Sequence, residues 1–551
     1  MDDANQELPD SVEALREMVL AQRATIAERN RVIESRESMI ESRESTIESR
    51  DSTIESLDSE VSTLREYVRL LKAQRFAAKN EKVHPDQLLI FNEAEQHTQG
   101  ETSEPETVTV PAHARRRGRR KPLPDSIPVE EIVHDLADEE KVCAAGHAMS
   151  VIGQETSEQL DIVPAKLRRL RHVRPKYACS RCKVGIKIAE LPPQPIPKSL
   201  ASPGLLAHIA ISKYVDGMPL FRQEAAFSRI GILLPRSTMA TWMVKAGQLA
   251  RPVVGALHRE LLERGFVQMD ETRFQVLKEP GKEATSLSYL WALRSGGRDR
   301  PGILYHYAPS REGAVAKELL GDFCGLLQTD GYQGYDAVGA REGITHIGCF
   351  AHARRKFHDA WKAQGGSART QAKNKKHKNA KRSQAERGLA WFRELYRVER
   401  ETAELSPEAR HLARQEQTAP ILQDLKAWLD ETRPVVPPAS LTGKALTYLA
   451  NQWPKLARVL GDGRVPLDTN DIENHIRPFA VGRKAWLFAD TMHGAEASAN
   501  LYSLVETAKA NGLDPHAYLR FVFERVPHRN VCDDFSDLLP FELSAEDLAT
   551  T

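Results

Sequence analysis

Apolar residues recur at every seventh position near the start of the chain. One heptad position is isoleucine and then valine: Ile26, Ile33, Ile40, Ile47, Ile54, Val61 and Val68. The second core position is arginine in the earlier heptads and leucine in the later ones: Arg29, Arg36, Arg43, Arg50, Leu57, Leu64 and Leu71. Such a repeat predicts a coiled coil over 11–75, which buries its seam against a partner helix and is tightest over 54–71. The alternative is a long solvated helix.

Apolar runs of strand length dominate the region 260–366. Three follow one another, in FVQMDETRFQVL, SLSYLWALRS and GILYHYAPS, and the helical pattern REGAVAKELLGDF comes next. Two more strands begin GLLQTDGYQGYDAV and THIGCFAHARRKFHDAW, and the second of these runs into a basic helix. Three successive strands followed by alternating helix and strand predict a mixed sheet flanked by helices.

A helical pattern precedes the sheet, over 200–250. A helix near 219–229 and a second helix, with Ser237 and Thr238 as its cap, flank a turn at Leu234 and Pro235. This arrangement resembles a helix-turn-helix, whose second helix enters the major groove of DNA. Pairs of helices that never contact DNA share the same pattern.

Helical patterns also follow the sheet. Residues 367–460 are polar and strand-poor, which indicates a helical insertion, and seven of the fourteen residues 369–382 are Lys or Arg. Residues 461–525 are amphipathic helices, and we expect the acidic tail 526–551 to be peripheral. With 551 residues the chain is too long for one compact core. The prediction is a multidomain α+β protein.

Charge is distributed unevenly along the chain. Residues 1–110 hold 13 Lys and Arg against 24 Asp and Glu, a net charge of −11, and the remainder holds 64 against 52, a net charge of +12. A basic body favours a polyanionic partner, although large domains without one carry similar imbalance. The chain has six cysteines, no apolar run of membrane-spanning length and no leader-like beginning. We therefore expect a reduced, cytoplasmic protein without a membrane partner.

The segment 92–125 is a basic linker. It contains six closely spaced cations: Arg115, Arg116, Arg117, Arg119, Arg120 and Lys121. A basic run without apolar periodicity can lie along a phosphate backbone. A plain solvated linker has the same composition.

The module 126–192 contains the motifs CAAGH and CSRC. They supply four candidate ligands: Cys143, His147, Cys179 and Cys182. Tetrahedral Zn²⁺ takes four Cys or His ligands, usually as two closely spaced pairs. We predict a zinc-knuckle-like module, and a knuckle-like fold without metal is the alternative.

Three carboxylates form the candidate catalytic constellation. Asp270, in VQMDET, and Asp330, in LQTDGY, each follow an apolar run, so we expect both at strand ends, and Glu473 is expected on a later helix. A metal ion offsets the cost of burying such carboxylates. Two Mg²⁺ or Mn²⁺ ions held by three carboxylates can drive phosphoryl transfer. The alternative is a turn aspartate and unrelated surface acids.

Basic residues stand near these acids in the sequence. His352, beside the fifth strand, begins a helix that also carries Arg354, Arg355 and Lys356. A second group follows the glutamate: Arg477, Arg483 and Lys484. Arginine binds phosphate bidentately, so we predict contacts with a nucleic-acid backbone. A solvated helix face is the alternative.

Several long stretches carry a family resemblance, in one order along the chain. They are KAQRFAAKNEKV with LLIFNEAE, SEQLDIVPAKLRRLRHVRPKYACSRC, QMDETRFQVL, TDGYQGYDAV, GCFAHARRKFHDA, IENHIRPFAVGRKAWLFADT and LYSLVETAKANGLDPHAYL. Across nearly its whole length the chain resembles transposases of the insertion sequence 66 family. The resemblance implies a ribonuclease-H-like catalytic core over 260–366 and 461–525, and an Asp-Asp-Glu metal triad at Asp270, Asp330 and Glu473.

Two positions depart from the family pattern. Ala145 stands where the zinc module usually has a second cysteine, and Asp468-Thr469-Asn470 stands where the family has Asp-Asn-Asn. The glutamate and the IRPF and GRK segments after it remain, so the resemblance still implies an intact triad.

Together these features predict a DNA transposase that cleaves at transposon ends and joins 3′-hydroxyls to target DNA. The zinc module and helix-turn-helix would recognise double-stranded DNA ends, and the coiled coil would pair protomers. The resemblance suggests element-encoded accessory proteins as further partners and places the protein at the bacterial nucleoid. The alternatives are a ribonuclease-H-like nuclease that cuts without joining and a catalytically silent DNA-binding regulator.

Overall fold

The computed structural model describes residues 12–76, 167–178, 186–295, 300–366, 382–530 and 532–549. The chain divides into two compact units, 80–191 and the remainder. In the smaller unit, strands β1 (Lys176–Ala178) and β2 (Ile186–Ile188) form an antiparallel pair. Several predicted features lie outside the described residues: the basic run 115–121, the four candidate zinc ligands, and the basic stretch 369–382 except Arg382.

The heptad region forms a single helix, α1 (Val12–Phe76), as predicted. Its 65 residues give a length of about 100 Å at about 1.5 Å per residue. The heptad side chains are exposed in the isolated chain; Ile26 is 56% and Leu57 is 54% exposed. The helix is confirmed, and its pairing with a second copy stays a prediction.

Six strands form the central sheet. Five are the predicted ones: β3 (Phe266–Lys278), β4 (Leu287–Ser295), β5 (Gly302–Ala308), β6 (Gly325–Gln328) and β7 (Ile344–Ile347). Their spatial order is β5-β4-β3-β6-β7, with β4 antiparallel to β3 and β5, and with β6 parallel to β3 and β7. The mixed sheet is therefore confirmed. An additional strand, β8 (Ala489–Thr491), pairs with the far half of β3; its three residues are too short to show a period.

The helices before the sheet share its core. They are α2 (Pro203–Tyr214), α3 (Leu220–Arg229) and α4 (Arg236–Glu263). Leu206, Met239 and Trp242 are buried in one apolar cluster with strand residues such as Val267. The predicted helix pair is present, but the predicted cap is wrong. The helix begins directly after Pro235, whose carbonyl accepts the amides of Thr238 and Met239, so Ser237 and Thr238 lie inside the first turn.

Helices also lie between and after the strands, and the helix after β7 builds a second apolar core together with the insertion. Between the strands lie α5 (Gly313–Leu320) and α6 (Asp336–Gly339), and α7 (Phe350–Ala363) follows β7. The insertion contributes α8 (Gln384–Glu401), α9 (Pro407–Ala413), α10 (Ala419–Thr432) and α11 (Leu441–Leu456). Phe357, Phe392 and Leu449 pack together in this core. The helical character of the insertion is confirmed over the described part.

The final helices close the molecule over the edge of the sheet. They are α12 (Asn470–Trp486), α13 (Met492–Ala510), α14 (Pro515–Arg525) and α15 (Ala545–Ala549). On α13, Ser503 accepts the amide of Tyr305 at 2.8 Å and Thr507 accepts that of Ile303 at 3.0 Å. The strand β5 is at the edge of the sheet, and these two hydroxyls accept hydrogen bonds from backbone amides that have no neighbouring strand.

The expectation of a peripheral C-terminal tail is wrong. Phe535, Leu538 and Leu539 are buried in the same core as the sheet. Tyr518 on α14 donates a hydrogen bond to the Leu538 carbonyl at 2.9 Å. The prediction relied on the acidic composition of the tail as a whole. It therefore missed the few apolar residues that pack into the core between exposed acidic ones.

Candidate active site

Asp270 and Asp330 lie beside each other because of the register of two parallel strands. Gln268 on β3 is paired with Gln328 on β6, and each aspartate stands two residues beyond its glutamine. Because side chains alternate along a strand, a spacing of two keeps all four on one face. Asp330 lies two residues beyond the last residue of β6, at the strand end that was predicted. Asp270 instead lies inside β3, which continues to Lys278 because its second half pairs with β4 and β8.

Glu473 comes from the first turn of α12 and faces the imidazole of His352 and the guanidinium of Arg355 on α7. Its Oε1 lies 3.6 Å from Nε2 of His352, and its Oε2 lies 3.5 Å from Nη2 of Arg355. The same Oε1 is buried without a hydrogen-bond partner, as is Nδ1 of His352. The carboxylate is therefore only loosely compensated by protein groups.

Asp270 is largely desolvated and lies within the electrostatic influence of the other two acids. Burial, followed by the charges of Glu271, Asp330 and Glu473, raises the pKa of Asp270 to about 8, although the Glu271 amide donates to it at 2.8 Å. Burial lowers the pKa of His352, while the charges of Glu473 and Asp330 act in the opposite direction. Sequence analysis predicted the three carboxylates, and the structure brings them into electrostatic contact.

A fourth carboxylate, Glu271, lies beside Asp270 and is held by its own partners. It pairs with Arg311 at 2.5 Å and accepts the hydroxyl of Tyr335. The Arg311 guanidinium lies 3.8 Å from the ring centroid of Tyr332, whose amide donates to Asp330 Oδ1 at 2.9 Å. Sequence analysis missed this network because its members come from β3 and from the loops around α5 and α6.

The insertion also reaches the site. The Tyr448 side chain of α11 packs so closely over Gly331 that a β-carbon there would overlap its ring. Lys356 on α7 lies 4.8 Å from the centroid of the same ring. Gly331 is therefore required for close approach, which the Asp-Gly sequence, read as a turn, did not reveal.

The predicted phosphate-binding residues of the catalytic region lie on α7 and on α12, the helix that carries Glu473. On α7, Arg354, Arg355 and Lys356 are exposed, and Arg355 contacts Glu473. On α12, Arg477 and Lys484 are exposed and Arg483 is half-buried. Burial and the nearby Arg273, which sequence analysis missed, lower the pKa of Arg483.

The donor set fits hard divalent cations. Asp270, Asp330 and Glu473 offer carboxylate oxygens, and the unpartnered Glu473 Oε1 and the raised pKa of Asp270 both indicate charge that a cation would offset. Among the described residues, no three His, Cys, Asp or Glu side chains are already arranged as one metal site. Asp270, Asp330 and Glu473 would hold such cations together with water and substrate oxygens.

The chain matches sequence models of one protein family over most of its length. The sequence model described as "Transposase IS66 family" matches residues 198–497, which contain all three acids. Three further models match: "zinc-finger binding domain of transposase IS66" at 140–183, "Transposase C of IS166 homeodomain" at 63–132 and "IS66 C-terminal element" at 503–541. The chain belongs to the transposase IS66 family and carries its zinc-finger domain.

Curated relatives extend over most of the chain. "Uncharacterized protein y4jD" of Sinorhizobium fredii (strain NBRC 101917 / NGR234) is 33% identical over 77% of this chain and 82% of its own length. "Uncharacterized protein y4qI" of the same strain is 32% identical over 76% of each. No solved structure matches the chain. Across the described residues, none of the helices combines the length and apolar character needed to cross a bilayer.

Proposed function

We propose that this transposase cleaves DNA at transposon ends and joins the freed 3′-hydroxyls to target DNA at Asp270, Asp330 and Glu473. The observation that carries the proposal is the register that aligns Asp270 with Asp330 on neighbouring strands, together with Glu473 on the first turn of a helix, whose charge acts on Asp270. A ribonuclease-H-like core is part of the proposal, supported by the order of three antiparallel and two parallel strands.

Asp270, Asp330 and Glu473 would hold Mg²⁺ or Mn²⁺. When bound, these cations supply activation of the attacking oxygen and stabilisation of the leaving oxygen. The protein itself fixes the carboxylates on rigid elements and limits their solvation, which strengthens their interaction with cations. Arg355, 3.5 Å from Glu473, is placed to bind a phosphate when the glutamate turns to a cation.

The exposed cations of α7 and α12 would position the DNA backbone. This role would be shared by Arg355 and five further cations: Arg354, Lys356, Arg477, Arg483 and Lys484. The repulsion between Arg483 and nearby Arg273 favours an anion between the two side chains. Three parts of the chain would recognise the transposon ends: the zinc-finger domain, the basic run 115–121 of the linker, and the α3–α4 pair. The zinc-finger domain would hold Zn²⁺ on Cys143, His147, Cys179 and Cys182.

Helix α1 would pair two transposase protomers. Its exposed apolar heptads support this, because a stripe of that length is stable when buried against another helix. Deletion of 11–75 should convert the protein to a lower oligomeric state in light scattering and abolish joining of paired ends. Unchanged joining after the deletion would refute the pairing role. Element-encoded accessory proteins remain proposed partners.

The test of the proposed reaction is a cleavage and joining assay on DNA that carries the element's own ends, with Mg²⁺. We expect both cleaved and joined products. Cleaved DNA without joined product would favour the nuclease alternative. Bound ends with neither product, in the presence of the accessory proteins, would favour the regulator.

A further inference from the structure

Two buried glutamines lie directly behind the aspartates. Gln268 and Gln328 are both fully buried, and Nε2 of Gln268 donates to Oε1 of Gln328 at 2.8 Å. Each is the residue two positions before an aspartate, on neighbouring parallel strands. A shift of either strand by one residue would break this pair and turn its aspartate to the other face.

The same amides bind the segment that leads into α12. Nε2 of Gln328 donates to the Pro466 carbonyl at 2.7 Å, and Nε2 of Gln268 donates to the Asp468 carbonyl at 3.2 Å. Between them, the Leu467 carbonyl accepts the amide of Phe350, the first residue of α7, at 3.0 Å. Three successive carbonyls are thus held by β6, α7 and β3.

The side chain of Asp468 and the following residue, Thr469, are also held by hydrogen bonds. The Asp468 carboxylate accepts the hydroxyl of Tyr396 at 2.6 Å and the amide of Asn470 at 3.1 Å. The amide and hydroxyl of Thr469 both donate to Sγ of Cys349 at 3.3 Å. Threonine, where the family has asparagine, therefore has its own partner. Glu473 lies one helical turn beyond this anchored segment, and its amide bonds to the Thr469 carbonyl at 3.1 Å.

We propose that Gln268 and Gln328 are positioning residues that set the distance of Glu473 from Asp270 and Asp330. One hydrogen-bonded amide pair joins the two aspartate strands to each other and both strands to the segment that carries the glutamate. This role rests on the proposed metal triad. The pair carries a cost, because Oε1 of Gln268 is buried without a hydrogen-bond partner. Apolar side chains would fill this space without that cost. Oε1 of the buried Gln223 is likewise unpartnered, and what distinguishes the pair is its hydrogen bonds to the segment that leads into α12.

The test measures Mn²⁺ binding to the full-length protein by electron paramagnetic resonance, well below the melting temperature. Gln268→Met and Gln328→Met keep the buried length and remove the amides. Mutation of residues that orient metal ligands from outside the ligand set typically lowers metal affinity about 10- to 100-fold. We expect that loss in each variant, together with slower strand cleavage at saturating DNA. The double variant should lose no more Mn²⁺ affinity than the single variant that binds Mn²⁺ less tightly, because both amides act in one unit.

Two controls separate positioning from stability. Gln223→Met removes another buried amide, which donates to the Met218 carbonyl at 3.0 Å, and should lower the melting temperature without changing Mn²⁺ affinity. Gln268→Asn and Gln328→Asn keep the amide but shorten its reach. They serve if the methionine variants do not fold, and we expect the same direction of change.

The outcomes separate the positioning role from the proposed function. If Asp270→Ala loses Mn²⁺ binding and the glutamine variants bind like wild type, the positioning role is wrong and the triad stands. If Asp270→Ala binds Mn²⁺ like wild type, the metal assignment fails, and the positioning role fails with it. Weakened binding in both sets supports the proposal.

Discussion

Asp270 and Asp330 stand at equivalent positions on neighbouring parallel strands, each two residues beyond the paired Gln268 and Gln328. This relationship places two carboxylates on one face of the sheet, where Glu473 meets them from α12. Burial and the charges of neighbouring carboxylates then make the ionised form of Asp270 costly for the metal-free protein. The consequences of that cost can be measured.

The metal-free protein should lose stability as the pH rises. The pKa of Asp270 is raised to about 8 by burial and by neighbouring carboxylates, whereas an unfolded aspartate has a pKa of about 3.9. The folded chain therefore holds this proton more tightly, and the stability it contributes is lost between about pH 4 and about pH 8.

Thermal unfolding at pH values across the upper part of that window tests this. Wild type without divalent metal should melt at lower temperature as the pH rises, and Asp270→Asn should show a shallower slope. Mn²⁺ should stabilise wild type more at higher pH, because binding requires the carboxylate. Equal slopes in the two proteins would contradict the environment assigned to Asp270.

Gly331→Ala should disturb the site through Tyr448. The added β-carbon would overlap the tyrosine ring, and overpacking of this kind costs about 1–3 kcal/mol. We expect a lower melting temperature and slower cleavage, with recovery of stability in Gly331→Ala/Tyr448→Leu. Gly204→Ala is the matched control, since nothing lies within 4 Å of a β-carbon there. Equal losses of melting temperature and cleavage rate in Gly331→Ala and Gly204→Ala would contradict a specific role for the contact between Gly331 and Tyr448.

The insertion should depend on one buried ion pair. Arg414 is fully buried, with its guanidinium bound to both oxygens of Glu399 at 2.7 Å and to the carbonyls of Val459 and Asp462. Arg414→Met leaves a largely buried carboxylate unpaired, so we expect a loss of about 3–5 kcal/mol in chemical denaturation. The exposed pair of Lys426 and Asp430 is the control. Lys426→Met should cost less than about 1 kcal/mol, and comparable losses would refute the prediction.

Zinc content should depend on Cys179 and Cys182. We predict one Zn²⁺ per chain by metal analysis, lost in Cys179→Ser. Ala145→Cys restores the cysteine usual in the family and should raise zinc affinity, because a thiolate is a strong zinc ligand. His147→Ala should lower affinity in wild type and have less effect beside Ala145→Cys. Unchanged zinc in Cys179→Ser would place the metal elsewhere.

Periodicity predicted the elements better than it predicted their contacts. The heptads of α1 and the five strands follow from residue spacing, and the resemblance located Asp270, Asp330 and Glu473. The strand β8 was missed because Ala489–Thr491 is too short for a pattern. The buried tail was missed because Phe535 and Leu538 stand among acidic residues.

Contacts between distant segments explain the remaining differences. Gln268 and Gln328 are ordinary polar residues in the sequence, and only the strand register makes them a buried pair. Tyr448 meets Gly331 because the insertion packs back onto the sheet, and nothing near either residue indicates this. Asp270 lies inside a strand because β3 continues past it to pair with β4 and β8. The residue pattern of β3 alone does not indicate these partners.

Substitution of Glu473 and its neighbour on α12 tests the central claim most directly. Asp471 is exposed, two residues before Glu473, and lies 3.6 Å from Arg294. We would measure end cleavage and joining with Mg²⁺ for Glu473→Gln, Asp330→Asn and Asp471→Asn, with end binding in parallel. The account predicts that the first two variants bind ends but lose activity about 10³-fold or more, while Asp471→Asn retains it. Near wild-type activity in Glu473→Gln or Asp330→Asn would contradict the assignment of the catalytic site.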